Sequence, residues 1–298
     1  MKIGIDLGGS HIGIGVVSNG KNIVEKYEVD INSNYNVKEF IEKEIITQLK
    51  RLTKKYNITE IGIAVPGIVK DQKILGLYNL GIGDYDIISS FSKHINIPIK
   101  IKNDGVCAAI AEMKYGNLQT YDNSIFICLG TGVGGAICEK GMAIPSNEKL
   151  GYEFGHMPFE KTGIILQQDK CKCGKDNCFE IYGSIRRLKN NLIKEIYGNN
   201  VTITDFSGKD LHDIILKNIN NKNVNKIIEQ YVQNIALGMY KIACITKPQA
   251  ICLGGGFVYY KDILFNEFVK EFNKLDVKKT VILIAKLEND AGIIGAVN

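Results

Sequence analysis

Asp6-Leu7-Gly8-Gly9-Ser10 forms the end of a short apolar strand that breaks into glycine, and LGTGVGG at residues 129–135 repeats this pattern far along the chain. Glycine lets the backbone approach a ligand closely and adopt φ angles that other residues avoid. Consecutive N–H groups at such a turn form a concavity that binds anions. The two glycine turns, one in each half of the chain, therefore predict a cleft in which backbone N–H groups hold phosphates from two sides.

The apolar pattern around these turns predicts an α/β protein. The predicted strands are 2–6, 12–17, 22–29, 60–65, 99–102, 124–129, 135–138, 250–253 and 280–285; the predicted helices are 37–56, 106–113, 180–196, 209–217, 223–245, 260–273 and a last one from Asp290. A strand–hairpin–helix–strand order occurs twice, which favours two related domains around a cleft. We assign 1–116 with 286–298 to the first, smaller domain and 117–285 to the second.

Composition limits the class of protein. The chain has 298 residues, 45% of them hydrophobic, and a net charge of only +5. Such a mild charge gives little support to nucleic-acid binding. A strand predicted from residue 2 leaves no room for a secretory signal, and no apolar run is long enough to span a bilayer. We expect a cytoplasmic protein with no nucleic-acid or membrane partner.

Two common nucleotide-binding motifs match the glycine-rich segments only in part. Residues 130–135 satisfy G-x-G-x-x-G, but that fingerprint needs a helix to start at the loop, and residues 136–141 read as a hairpin. Residues 15–22 nearly match a P-loop, but they end in Asn22, where a Ser or Thr would bind Mg²⁺, and they fall on a predicted hairpin. Neither motif predicts the site.

Asn103-Asp104 stands where a predicted strand ends and a predicted helix begins. Phosphoryl transfer to an alcohol needs a carboxylate that accepts the hydroxyl proton, and a strand end is a rigid place for one. The alternative is that Asp104 is only a helix N-cap. One residue can serve both roles, so both stay open on the local sequence.

Three cysteines cluster, at positions 171, 173 and 178, whereas the other five lie singly in apolar segments. In a reducing compartment such a cluster indicates metal binding before a disulfide. Three reduced, unligated cysteines remain the alternative.

Segments spread over nearly the whole chain resemble, in the same order, motifs of the ROK family of repressors and sugar kinases. They are DLGGS (6–10), GIAVPG (62–67), IKNDGVCAAIAE (101–112), LGTGVGG (129–135), GYEFGHM (151–157), CKCGKDNCFE (171–180), residues 248–256 and NDAGIIGA (289–296). This resemblance implies the actin-like ATPase (ribonuclease H-like) fold.

The resemblance also implies an ATP-dependent sugar kinase and a set of site residues. Asp104 would be the base that takes the proton from the sugar hydroxyl, usually O6. The sugar-binding set would be Gly67, Asn103, Asp104, Glu153, His156 and Glu180. The phosphate loops would be Gly8, Gly9 and Ser10 in one domain and Gly130, Thr131 and Gly132 in the other; Gly254, Gly255 and Gly256 would lie on the adenosine side, and Asp6 near Mg²⁺.

A structural zinc ion is the second implied cofactor beside Mg-ATP. His156 would complete a Cys₃His site with Cys171, Cys173 and Cys178. The chain differs from the family at Asn177, where Gly is usual, and in a longer loop between His156 and Cys171. By family analogy we expect a homodimer.

The acceptor sugar stays open at this stage. Glucose is the default, N-acetylmannosamine or another N-acetylhexosamine is the alternative, and polyphosphate could replace ATP. A sugar-sensing regulator without catalytic activity is the alternative from another class. Repressors of the family carry an N-terminal helix-turn-helix domain, for which a strand predicted from residue 2 leaves no room.

Overall fold

The computed structural model describes residues 1–9, 11–31, 36–77, 80–144, 153–160, 170–171, 173–198, 201, 206, 208–276 and 279–298, without the side chains of 208 and 209. The chain forms two compact units. Unit 1 consists of Met1–Asp122, Ala136–Tyr152 and Lys286–Asn298, and unit 2 consists of Asn123–Gly135 and Glu153–Ala285.

The described residues contain both strands and helices. The strands are β1 (Lys2–Leu7), β2 (His11–Ser18), β3 (Asn22–Asp30), β4 (Glu60–Val65), β5 (Ile68–Lys70), β6 (Lys73–Leu75), β7 (Ile99–Asn103), β8 (Asn123–Leu129), β9 (Val133–Glu139), β10 (Met142–Ile144), β11 (Ala250–Gly254) and β12 (Val281–Ile284). The helices are α1 (Val37–Lys55), α2 (Ile87–Ser92), α3 (Asp104–Tyr115), α4 (Glu180–Gly183), α5 (Ile185–Tyr197), α6 (Gly208–Lys217), α7 (Lys222–Thr246), α8 (Lys261–Leu275) and α9 (Ala291–Ala296).

The sheet of unit 1 has the order β3-β2-β1-β4-β7. β2 runs antiparallel to β1 and β3, and β4 runs parallel to β1 and β7. The β2–β3 turn contains Asn19 and Gly20, both with positive φ, as the sequence pattern predicts for a tight hairpin. Because β1, β4 and β7 are parallel, their carboxyl ends lie along one edge of the sheet.

Helix α1 contributes an apolar face to the core of unit 1. Ile41, Ile45, Leu49 and Leu52 recur at helical spacing and are all buried. Each such side chain contributes about 1.5–3 kcal/mol through removal from water. The helix begins at the N-cap Asn36, whose side chain accepts a hydrogen bond from the Glu39 amide.

The second sheet has the order β10-β9-β8-β11-β12. Its strands β8, β11 and β12 lie in unit 2 and run parallel, with Ala250 opposite both Ser124 and Val281. Helix α7 packs against α4, α5 and α8 in the same unit. The mixed α/β order with two five-stranded sheets agrees with the predicted fold class.

Two predicted helices differ in detail. The predicted helix 180–196 is broken into α4 and α5 at Ser184, whose extended backbone and side-chain cap on the Arg187 amide start a new helix. The predicted helix 260–273 is α8, and a 3₁₀ helix over Gly255–Tyr260 precedes it.

The interpretation of Asp104 as an N-cap is wrong. Asn103 is the N-cap of α3, because its side-chain oxygen accepts a hydrogen bond from the Val106 amide at 3.1 Å. Asp104 is the first helical residue, and its carboxylate accepts from the Gly105 amide at 2.8 Å. The Asn103 side chain thus caps the helix, and the Asp104 carboxylate lies one position further along the chain.

None of the helices in the described part of the chain is both long and apolar enough to cross a membrane.

Candidate active site

The first glycine loop follows β1 in unit 1. Gly8 donates its N–H to the His11 carbonyl at 2.8 Å, which closes the turn between β1 and β2. That donor is used within the protein, whereas Gly9 is exposed. Ser10, the last predicted residue of this loop, lies outside the described residues.

Asp6 and Asp104 are electrostatically coupled carboxyls in unit 1. Burial, followed by the negative charge of Asp104, raises the pKa of Asp6 to about 7, against the opposing effects of His11 and Lys26. Asp6 lies on β1 and Asp104 directly follows β7, at the edge where the parallel strands end. Two coupled carboxyls are a favourable place for a divalent cation, whose charge would relieve their repulsion.

Asn103 connects α3 to the turn at Gly67. Its side-chain oxygen caps the helix, and its amide nitrogen donates to the Gly67 carbonyl at 3.0 Å. Gly67 has φ of +116°, in a conformation that favours glycine. Two of the predicted sugar-binding residues are therefore bonded to each other, and they hold the first turn of α3, with Asp104, in place.

The second glycine loop belongs to unit 2. Gly130 donates its N–H to the Gly132 carbonyl at 2.9 Å, and its own carbonyl accepts from the Arg186 amide at 3.2 Å. Thr131 is exposed at the tip. A Cβ at Gly132 would lie 2.3 Å from Glu180 Oε2, so a larger residue there would displace the Glu180 carboxylate. The loop is thus folded around that carboxylate.

Glu153 precedes a short 3₁₀ helix in unit 2, Phe154–His156, and His156 is its last residue. His156 Nε2 lies 3.7 Å from Glu153 Oε2. Burial raises the pKa of Glu153, an effect that the charge of His156 opposes and that of Glu180 reinforces. The two side chains form a polar pair of the kind that binds sugar hydroxyls, which both donate and accept hydrogen bonds.

The cysteine cluster and His156 fit a tetrahedral zinc site. One ligand atom from each of His156, Cys171, Cys173 and Cys178 can be chosen so that all four lie within 4.8 Å of one another. Cys171 Sγ is 3.4 Å from His156 Nδ1, and Cys173 Sγ is 3.4 Å from Cys178 Sγ. In a tetrahedral site with Zn–S bonds of 2.3 Å, neighbouring sulfurs are about 3.8 Å apart. Small adjustments would therefore seat the ion, and Cys₃His is a donor set typical of structural zinc.

Backbone hydrogen bonds hold the cysteine loop against the His156 segment. Phe159 N donates to the Asn177 carbonyl at 2.7 Å and Phe179 N to the Met157 carbonyl at 2.9 Å. The backbone of Asn177 does not have a positive φ, so the difference from the family at this position introduces no backbone strain. Of the loop between His156 and Cys171, residues 161–169 lie outside the described part.

The third glycine group ends β11 in unit 2. Gly254 is buried at the strand end, and Gly255 has φ of +68°, which turns the chain into the 3₁₀ helix that precedes α8. The predicted adenosine-side residues Gly254, Gly255 and Gly256 thus form one strand-to-helix turn.

The structure brings together several predicted residues whose contacts the motifs did not reveal. The clearest is Glu180, which accepts a hydrogen bond from the Val133 amide at 3.0 Å. The residues are 47 positions apart, and no local pattern links them. The sequence feature that could have indicated this contact is Gly132, because only a residue without a side chain lets the Glu180 carboxylate approach the loop so closely.

Comparison with known proteins identifies the family of this chain. The chain matches the ROK family over residues 2–298. It is 26% identical to the beta-glucoside kinase of Listeria innocua, over 100% of this chain and 96% of the relative. It is 27% identical to the xylose repressor of Bacillus subtilis, over 91% of this chain and 68% of the relative.

The fold also matches a solved structure. A ROK family glucokinase from Streptomyces griseus in complex with glucose and AMPPNP superimposes with a TM-score of 0.81 at 23% identity, covering 99% of this chain and 97% of that one. The chain therefore belongs to the ROK family and has the actin-like ATPase fold of its sugar kinases. The predicted family and fold class are confirmed.

Proposed function

We propose that this protein is an ATP-dependent kinase that transfers the γ-phosphoryl group of ATP to O6 of a hexose, with glucose as the default acceptor. The observation that carries the proposal is the pair of coupled carboxyls, Asp6 and Asp104, at the edge where the parallel strands of unit 1 end. Family membership over the whole chain and the kinase names of its relatives support it.

In the proposed mechanism, Asp104 accepts the proton of the sugar hydroxyl while the sugar oxygen bonds to the γ-phosphorus. The bond between that phosphorus and the bridging oxygen of ADP breaks as the new bond forms, so the products are ADP and the sugar phosphate. Asn103 caps α3 and donates a hydrogen bond to the Gly67 carbonyl. These two interactions keep the first turn of α3, which contains Asp104, rigid. A fixed carboxylate is better aligned for proton transfer than a mobile one.

The glycine loops and the polar residues of unit 2 would hold the two substrates. Gly9, Ser10, Thr131 and Gly132 bind phosphates, while Gly254, Gly255 and Gly256 lie by the adenosine. Mg²⁺, held near Asp6, would neutralise charge that develops on the phosphates. Glu153, His156 and Glu180 would bind ring hydroxyls. His156, Cys171, Cys173 and Cys178 would hold a structural zinc ion, and this ligation would fix the direction of the His156 ring.

The test of the mechanism is Asp104→Asn, which removes the base and keeps the shape. We expect kcat to fall by about 10²–10⁴-fold, the usual contribution of a positioned base, with sugar affinity within a few-fold of wild type. Glu39→Gln, which neutralises an exposed carboxylate in the first turn of α1, is the matched control. An Asp104→Asn variant that keeps wild-type turnover would exclude Asp104 as the base.

Two alternatives remain to be separated by experiment. An N-acetylhexosamine such as N-acetylmannosamine is the alternative acceptor. A sugar-sensing regulator is the alternative function, and the similarity to a xylose repressor favours including it. Sugar binding measured by calorimetry, with no ADP formed from Mg-ATP, would support the regulator.

A further inference from the structure

Glu180 contacts two loops that the proposed function treats separately. Its Oε2 atom accepts a hydrogen bond from the Val133 amide at 3.0 Å, at the end of the second glycine loop. Its Oε1 atom lies 3.8 Å from Cys171 Sγ in the cysteine loop. All of these groups belong to unit 2.

The surroundings of Glu180 leave little freedom to its carboxylate. A Cβ added to Gly132 would lie 2.3 Å from Oε2, and one added to Gly155 would lie 3.3 Å from the same atom. The backbone before Glu180 is tied to the His156 segment through the Phe179 amide and the Met157 carbonyl at 2.9 Å. The carboxylate is thus held between two glycines from different parts of the chain.

We propose that Glu180 is a positioning residue for the second phosphate loop: it fixes the path of residues 130–133 through the hydrogen bond that it accepts from the Val133 amide. The inference rests on the proposed function for its kinetic consequence and deepens it. Under the family resemblance Glu180 binds sugar only; here it also sets nucleotide affinity.

The physical reason is the cost of an unpaired donor. Val133 is buried, so its amide has no easy access to water once the carboxylate is removed. The loop would have to rearrange to satisfy that N–H, and the phosphate-binding geometry would change with it. Gln at position 180 retains an oxygen that can accept the same hydrogen bond, whereas Asp retains the charge but is one methylene too short.

The experiment compares Glu180→Ala, Glu180→Asp and Glu180→Gln with wild type by calorimetric titration with Mg-AMPPNP, without sugar. We expect the Ala and Asp variants to bind nucleotide about tenfold more weakly and the Gln variant to stay within about threefold. Glu153→Gln is the control, since it neutralises a carboxylate of the same polar group whose ion-pair partner is His156. In turnover assays, the Ala variant should raise KM for both ATP and sugar, and Glu153→Gln should raise only that for sugar.

Hydrogen exchange of residues 130–135 provides a second readout that needs neither nucleotide nor activity. We expect faster exchange in the Ala and Asp variants and wild-type exchange in the Gln variant. Wild-type exchange and nucleotide affinity in all three variants would overturn the inference. Equal loss in Gln and Ala would also overturn it, because charge rather than the hydrogen bond would then matter. A wild-type protein that phosphorylates no sugar would refute the proposed function and leave the exchange result to decide the role of Glu180.

Discussion

The Asn103 side chain makes two hydrogen bonds, one to the Val106 amide and one to the Gly67 carbonyl, and different substitutions remove one or both of them. Asn103→Ala removes both the helix cap and the bond to Gly67, and we expect the free energy of unfolding to fall by about 1 kcal/mol in urea titrations. Asn103→Asp keeps a capping oxygen and loses the amide donor, and the negative charge that it adds is favourable at a helix N-terminus. That variant should keep wild-type stability while KM for sugar rises, because the Gly67 turn is released. Equal destabilisation by Ala and Asp would contradict this division of roles.

Asp6 predicts a pH dependence of stability. The pKa of this carboxyl is about 7 in the folded protein, against 3.8 for an ordinary aspartate, so the folded state keeps a proton that the unfolded state has released. The stabilising contribution is therefore complete below about pH 4 and is lost as the pH rises to about 7. The limiting slope for one proton is 1.4 kcal/mol per pH unit, and it flattens near either pKa because the difference in bound protons is then below one, so we expect about 1 kcal/mol per unit on average between pH 4 and 7.

The measurement is the difference in unfolding free energy between wild type and Asp6→Asn at pH 5, 6, 7 and 8, without divalent cations. From pH 5 to pH 7 the unfolding free energy of wild type should fall relative to that of Asp6→Asn. By pH 8 the difference between the two proteins should become constant. Parallel pH profiles for the two proteins would show that the pKa of Asp6 is not raised.

Helix α3 is attached to the segment that leads into the last helix by one buried carboxylate. Glu112 accepts hydrogen bonds from the Lys286 and Leu287 amides through Oε1, both at 2.8 Å, and from the Asn117 amide through Oε2 at 2.9 Å. Glu112→Gln puts an NH₂ group opposite at least one of these donors. We expect a loss of about 2–3 kcal/mol in unfolding free energy, with Glu139→Gln, at an exposed carboxylate, as the neutral control. A loss no greater than that of the control would contradict the account.

The cysteine loop makes a prediction about metal content. Cys173→Ser should lower bound zinc below one equivalent per chain, and the free energy of unfolding should fall by about 3 kcal/mol, the stabilisation given by a ligand at roughly 100 times its Kd. Cys244→Ser, at an exposed cysteine outside the cluster, should change neither quantity. Metal analysis and thermal unfolding measure both effects. Wild-type protein without zinc would favour three unligated thiols.

At the element scale, periodicity and turn residues predicted most strands and helices, because burial of one face dominates their formation. The break at Ser184 was missed because apolar residues continue through it at helical spacing, and only the tertiary structure reveals the cap. The small strands β5 and β6 and the short helix α2 were missed for a related reason. Their three to six residues are too few to establish a period.

At the scale of the whole molecule, the order of motifs along the chain predicted the ROK family and the actin-like ATPase fold, and both are confirmed. Individual contacts were not predictable in the same way. The bonds from Glu180 to Val133 and from Glu112 to Lys286 join residues 47 and 174 positions apart, and only the folded chain brings them together. The domain boundaries, the acceptor sugar and the homodimer stay predictions.

The most direct test of the central claim is ADP formation from Mg-ATP across a panel of hexoses and N-acetylhexosamines, with the phosphorylated position assigned by ³¹P NMR. We expect turnover with at least one sugar, a product phosphorylated at O6, and loss of that turnover in Asp104→Asn. Sugar binding without ADP formation from any member of the panel would contradict the account and would identify a sugar-binding protein that is not a kinase.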